Sequence, residues 1–296
     1  MGSFIKSTLS GYEVYFTVIF VWSFWLIVSR LGAASPLTSY DLAAMRYGFS
    51  AIVSLPFVIY YKPWKTLSFL RVISLSFVLG PIHILTVFSG FSYAPAAHGG
   101  IFMNELPPIF SVLIGIVFFS AKLDQKKISG ALIILCCASI LGTNSTEFNI
   151  EESWIGDFCF AIGGGFFAIY VALSHQWEIK TIEILFCGSL VNAVFYLPIW
   201  YFLLPSGLGS TETSAIILQS IYQGLIPNLV GLIFIAHAAR TIGADATSAI
   251  MAIVPSTKAI LGVWLLGEQL EEIGLLAIFG LTIGLLMMTF PKRKTQ

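Results

Sequence analysis

Two ionisable residues of opposite sign lie in the middle of long apolar stretches of this chain. Glu105 lies within residues 96–123, and Lys258 lies within residues 243–270. An isolated charge in lipid costs at least a few kcal/mol, so such residues usually face the interior of a helix bundle and serve a function. Glu105 suits an amine, another cation or proton exchange, and Lys258 suits a carboxylate or phosphate. A structural ion pair between the two is the alternative.

The two stretches resemble each other in sequence. Aligning Pro108 with Pro255 also aligns Gly115 with Gly262, and the two apolar segments then end together. A match in these relative positions predicts an internal duplication.

Prolines interrupt four of the apolar segments in two matched pairs. Pro81 corresponds to Pro227, and Pro108 corresponds to Pro255. Each proline removes a backbone donor and frees a carbonyl about one turn earlier. In lipid that carbonyl must face protein or a water-filled cavity. The four positions are therefore predicted helix breaks or gating points around a cavity, with a packing kink as the alternative for any one of them.

Further side chains at similar depth are candidates to line such a cavity. The predicted substrate-binding residues, besides the two charges, are Asn104, Asn228, His83, Trp22, Trp25, Phe102 and Tyr170. His98 joins Glu105 as a candidate for proton coupling, because histidine titrates near physiological pH; a buried, hydrogen-bonded histidine is the alternative. Arg46 suits a substrate anion, and pairing with Asp41 or tying helix ends is the alternative.

The composition of the chain indicates whether it is surrounded by water or by lipid. Of its 296 residues 57% are hydrophobic and 10% are charged, and the mean hydropathy is +0.90. Soluble domains carry about 25% charged residues. The apolar runs repeatedly reach about 18 residues, which is the length that crosses a bilayer as a helix. The sequence therefore predicts an all-α polytopic membrane protein and excludes a large water-soluble enzyme domain.

Several functional classes lack support in the sequence. The net charge of +0 provides no basic field for nucleic acid. The four cysteines lie in apolar runs without a CxxC spacing, so neither a metal site nor a cofactor is expected. The HExxH, GxSxG and Walker motifs are absent. We therefore expect no enzyme activity and no ATP hydrolysis, so a gradient must drive any transport.

The apolar runs predict about ten spans, five on each side of a polar linker. Residues 1–143 form the predicted first repeat, 144–154 the linker, 155–290 the second repeat and 291–296 a cytoplasmic tail. A repeat with an odd number of spans must insert in opposite orientations, and inverted repeats are typical of secondary transporters with a binding site near the midplane.

The distribution of Lys and Arg predicts the orientation. With the N-terminus inside, twelve of the fifteen fall on the inner side, which is retained in the cytoplasm. They are Lys6, Lys62, Lys65, Arg71, Lys122, Lys126, Lys127, Lys180, Arg240, Lys292, Arg293 and Lys294. Both termini are therefore predicted to be cytoplasmic, in a plasma membrane or bacterial inner membrane.

Over almost its whole length the sequence resembles the drug/metabolite transporter superfamily, specifically its EamA-type ten-helix members. The matching pieces are Ser35-Pro36 followed by Arg46, the turn at 93–97, and Pro255 through Gly262 to Gly267-Glu268. The resemblance implies a bundle around a central cavity lined by spans one, three, four, six, eight and nine, with spans five and ten peripheral. Glu105 and Lys258 replace the small or apolar residues of many members, which indicates a charged substrate.

These observations predict a secondary active transporter that moves a small polar or zwitterionic metabolite by alternating access. Amino acids and related compounds are the leading substrates, with Glu105 holding an amine and Lys258 a carboxylate. The alternative is a proton-coupled exporter of lipophilic cations that uses Glu105 alone. The expected partners are the small-molecule substrate and the lipid bilayer, and a homodimer is left open.

Overall fold

A computed structural model describes residues 11–95, 98–99, 102–103, 106, 109–110, 113, 125–142, 150–177, 179–231, 257, 261, 263–265, 267 and 272–289. Within these residues helices alternate with short turns, and no strand occurs. The α-helices are α1 Gly11–Ala33, α2 Ser39–Tyr61, α3 Phe69–Val78, α4 Pro81–Tyr93, α5 Gln125–Gly142, α6 Ile150–Gln176, α7 Thr181–Leu185, α8 Asn192–Leu203, α9 Thr213–Leu225 and α10 Glu272–Thr289. Short 3₁₀ turns cover Pro63–Lys65 and Leu208–Ser210.

Four helical stretches of the described chain are long and apolar enough to cross a membrane. They are Ser39–Tyr61, Phe69–Tyr93, Glu152–Tyr170 and Thr181–Leu203. Shorter apolar helices cover Ile19–Ala33 and Glu272–Met288. Their outer faces expose large apolar side chains such as Phe202 and Leu203, as a bilayer requires. The fold class predicted from composition, an all-helical polytopic membrane protein, is confirmed.

The third span is broken where the sequence predicted. Helix α3 ends at Val78, and α4 begins at Pro81 with Gly80 as its N-cap. Proline fits the first position of a helix because the amide it lacks has no partner there. The Tyr47 hydroxyl donates a hydrogen bond to the Leu79 carbonyl at 3.1 Å. A side chain of α2 thus satisfies a backbone group at the break.

Two π segments, which are wider helical turns, occur in later spans. A π-helix covers Phe186–Val191 between α7 and α8, and another covers Ile226–Gly231 directly after α9. The second contains Pro227, so the interruption predicted there is a π segment rather than a gap. The first contains no proline, and the sequence analysis missed it. Short π segments frequently occur at functional sites.

The carboxylate of Asp41 at the start of α2 accepts several hydrogen bonds. Thr38 and Asp41 form a capping box, in which each satisfies a donor of the other. The fully buried Asp41 also accepts hydrogen bonds from the Gly207 amide at 2.8 Å and from Trp200 Nε1 at 2.9 Å. The start of α2 is therefore tied to α8 and to the loop that follows it.

Helix α7 begins with a similar arrangement. Glu183, the third residue of α7, accepts from the Lys180 amide at 2.9 Å and from the Thr66 hydroxyl at 3.1 Å. Thr66 lies in the turn that follows α2. We call the contacts of Asp41 and Glu183 the reciprocal caps. Asp41 at the start of α2 binds the connection after α8, and Glu183 at the start of α7 binds the turn after α2.

Helices α4 and α6 cross with their backbones close together. A Cβ atom on Gly156 would lie 2.5 Å from the Ala94 Cβ, and one on Gly163 would lie 2.5 Å from Val87 Cγ2. The missing side chains of Gly156 and Gly163 thus permit this close approach of the two helices. This crossing joins a helix of the first predicted repeat to a helix of the second.

Helices α5 and α10 pack mainly against each other. A Cβ atom on Gly130 would lie 2.7 Å from the Gly284 carbonyl oxygen, and one on Gly284 would lie 2.9 Å from that of Gly130. Ile134 and Leu281 are fully buried between the two helices. The main core lies elsewhere and joins α1, α2, α4, α6 and α8.

Candidate functional site

A cavity of about 100 Å³ lies where the interrupted spans meet. Both π segments, the break between α3 and α4, and helices α1, α2 and α6 contribute to its wall. Its lining includes Trp25, Arg46, His83, Tyr170, Ser189 and Pro227. A single water needs about 10–15 Å³ by this type of measure, so the space can hold several waters or a small metabolite.

Arg46 brings a positive charge to this cavity. Its guanidinium carbon lies 5.9 Å from the centroid of the Trp25 ring, within the range of a cation–π contact. The alternative of pairing with Asp41 is wrong, since the described contacts of that carboxylate go to Thr38, Trp200, Ser206 and Gly207. Residues five apart point about 140° away from each other on a helix, so the two side chains face different neighbours.

His83, the third residue of α4, lines the same cavity. Its side chain is 7% exposed, and the Gly163 backbone of α6 is its hydrogen-bond partner. The ring packs edge-on against Phe166 with centroids 6.1 Å apart. The ring of His83 is therefore held against α6 and forms part of the cavity wall.

An amide network supports Trp25 from behind the cavity. Trp25 Nε1 donates to Gln223 Oε1 at 2.7 Å, and Gln223 Nε2 donates to Ser29 Oγ at 3.0 Å and to Gln219 Oε1 at 3.1 Å. Gln219 in turn donates to the Val28 carbonyl at 2.6 Å. The sequence analysis missed both glutamines, although their spacing of four places them on one face of an apolar helix.

A buried histidine–carboxylate pair links the start of the fourth span to α6. His98 Nδ1 and Asp157 Oδ1 lie 2.7 Å apart, and His98 is 1% exposed. His98 is therefore a buried, hydrogen-bonded histidine, which is the alternative that the sequence analysis considered for it. Asp157 was missed, although an acidic residue near the start of an apolar span is a recognisable signal.

The structure brings some of the predicted site residues together. Trp25, His83 and Tyr170 meet at the cavity, and Pro81 starts the helix that carries His83. Phe102 lies instead beside His98, with ring centroids 6.4 Å apart. Trp22 lies on α1 and Asn228 in the second π segment, where the structure describes the backbone alone. The predicted residues that fall outside the described ones are Asn104, Glu105, Pro108, Pro255 and Lys258.

Comparison with known proteins gives matches to both halves of the chain. Residues 9–143 and 154–290 each match the EamA-like transporter family. A protein of known crystal structure is similar in fold to this chain, with a TM-score of 0.61 and 17% sequence identity. The superposition covers 93% of this chain and 94% of the other protein's chain. At that identity the likeness shows the fold alone.

One curated relative carries a functional description. It is a probable terminal-alkyne amino-acid exporter of Streptantibioticus cattleyicolor, 23% identical over 194 residues. The alignment covers 64% of this chain and 62% of the exporter, so the chain matches less than two thirds of the length of this relative.

Proposed function

Because the chain belongs to the EamA-like transporter family, we propose that it is a secondary active transporter that moves a small polar or zwitterionic metabolite by alternating access. Amino acids and related compounds are the leading substrates. The observation that carries this proposal is the cavity, which both halves of the chain line and which contains a buried arginine. The family consists of transporters, in agreement with the expectation that the chain is not an enzyme.

The chemistry of the wall supports a substrate with one charged end and one apolar end. Arg46 and His83 supply polar groups, whereas Met103, Phe167 and Tyr170 supply apolar surface. Ligand sites commonly combine a mostly apolar wall with a few placed polar groups. The matched relative is named as an exporter of an amino acid, which supports the same substrate class.

The cavity disfavours the alternative substrate class, lipophilic cations. A cation beside the Arg46 guanidinium would meet a like charge at short range, where water screens poorly. We expect lipophilic cations to bind at least tenfold more weakly than an amino acid with an apolar side chain. Equal or tighter binding of a cation such as tetraphenylphosphonium would contradict this expectation.

The opposite charges at Glu105 and Lys258 give a first test of the zwitterion proposal. We propose that Glu105 binds the amine and that Lys258 binds or balances the carboxylate. Loss of either charged partner costs several-fold or more in affinity, because charge-assisted hydrogen bonds are the strong ones. We therefore expect Glu105→Gln and Lys258→Met to lower leucine flux into proteoliposomes by about tenfold. A structural ion pair predicts instead that both variants lose thermal stability with unchanged affinity.

Proton coupling is proposed for the pair formed by His98 and Asp157. A coupling residue is needed for uphill transport but not for the exchange of substrate for substrate. We therefore expect Asp157→Asn to abolish accumulation driven by a proton gradient while leaving counterflow of labelled leucine within about twofold of wild type. Equal loss of both activities would show that the pair is structural.

The cytoplasmic placement of both termini is part of the same proposal, and the charge distribution supports it. A tag fused after Gln296 is expected to resist protease in intact cells and to be cleaved once the membrane is opened.

A further inference from the structure

The cavity contains an acceptor for negative charge that the assignment to Glu105 and Lys258 does not include. Two features converge on it: the guanidinium of Arg46 and the first turn of α4. Each of them alone has an ordinary structural explanation. Both line one cavity, so a single anion there would lie near both.

The start of α4 presents backbone donors at this wall. Leu79, His83 and Ile84, on both sides of the break, line the cavity. Gly80 is the N-cap and has no side chain to accept a hydrogen bond from the first-turn amides. Helix N-termini carry partial positive charge and bind anions through such amides. The helix has 13 residues, so its dipole is developed over more than three turns.

Arg46 supplies the side-chain donors. Arg46 faces the cavity with its guanidinium near the Trp25 ring, which is itself held by Gln223. A planar guanidinium binds a carboxylate through two parallel hydrogen bonds.

We infer that the acidic group of the substrate, a carboxylate, binds at Arg46 and the N-terminus of α4. This inference rests on the proposed transport function and refines it, because it places the carboxylate in the first repeat and leaves Lys258 to balance charge rather than to bind the carboxylate. The apolar residues Met103, Phe167 and Tyr170 then face the side chain of the substrate.

Three small probes with one carbon skeleton separate the charges of the ligand. Leucine carries both charged groups, 4-methylpentanoate carries only the carboxylate, and 3-methylbutylamine carries only the amine. Binding to detergent-purified protein is measured from the rise of the unfolding midpoint with ligand concentration. We expect wild type to bind leucine and 4-methylpentanoate at least tenfold more tightly than the amine.

Variants then locate the carboxylate. We expect Arg46→Gln to weaken 4-methylpentanoate binding by tenfold or more, and Arg46→Lys to restore part of it, because the charge remains but the fork geometry is lost. The matched control is Arg30→Gln, since Arg30 donates to the Phe91 carbonyl and does not line the cavity.

The experiment distinguishes failure of this inference from failure of the proposed transport function. Weaker binding of the acid in Arg46→Gln but not in Arg30→Gln supports the inference. It is overturned if folded wild type does not bind 4-methylpentanoate, if the amine binds better, or if the acid binds folded Arg46→Gln as tightly as wild type. The proposed transport function fails separately, if wild type binds leucine but proteoliposomes show no saturable leucine flux.

Discussion

Replacing Asp41 by Ala is expected to lower the free energy of unfolding by about 3 kcal/mol or more. The carboxylate accepts four hydrogen bonds within 3 Å: two from Thr38, one from Trp200 and one from Gly207. The residue is fully buried, so its removal leaves these donors without water to replace it. Hydrogen bonds to charged groups contribute about 1.5–3 kcal/mol each, and such losses are not additive.

Two further variants test this expectation by thermal unfolding in detergent. Asp41→Asn should lose less than Asp41→Ala, because the amide keeps one acceptor oxygen of the two. Glu212→Ala is the control, since Glu212 is an exposed carboxylate at the start of α9. Its loss should cost less than about 1 kcal/mol. If Asp41→Ala and Glu212→Ala shift the unfolding midpoint equally, the contacts of Asp41 contribute little to stability.

Gly156→Ala is expected to destabilise the protein by about 1–3 kcal/mol, the usual cost of overpacking a core. The new Cβ would lie 2.5 Å from the Ala94 Cβ and 2.8 Å from the Gly90 carbonyl oxygen. Neither neighbour is the end of a flexible side chain, so the two helices must move apart. The measurement is again the unfolding midpoint in detergent, together with the fraction of protein that elutes as a single species.

A second glycine of the same helix provides the matched control. A Cβ on Gly165 would approach nothing more closely than 3.9 Å, at the Phe110 ring. Alanine is the better helix former by about 1 kcal/mol. Gly165→Ala should therefore be neutral or stabilising, and the two substitutions should differ in sign. A loss of stability at Gly165 equal to that at Gly156 would show that the crossing does not depend on the missing side chain.

The spans and the break at Gly80-Pro81 could be predicted because they depend on local properties. Hydrophobic length sets where a helix can cross lipid, and Pro81 lacks the amide that a continuous helix would require. The π segment at Phe186–Val191 could not be predicted in this way. Its sequence has no proline, and the extra residue per turn depends on how the neighbouring helices pack.

The candidate site was predicted in part. Trp25, His83 and Tyr170 were selected as polar or aromatic groups at depth, and they do meet at the cavity. Arg46 was weighed against pairing with Asp41 because the two are near in sequence. Proximity in sequence is not proximity on a helix surface, and the partners of Asp41 come from residues more than 150 positions away. Such long-range contacts are not visible in a single sequence.

The reciprocal caps have a consequence for the origin of the architecture. Asp41 binds the connection after α8, and Glu183 binds the turn after α2. A contact in which each side uses the same pair of surfaces is isologous, and it arises about a two-fold axis. The two ends of α2 face opposite sides of the bilayer, so this axis lies in the membrane plane. A shorter protein of five helices, inserted in both orientations, would make the same contact twice, and fusion of two such copies would preserve it within one chain.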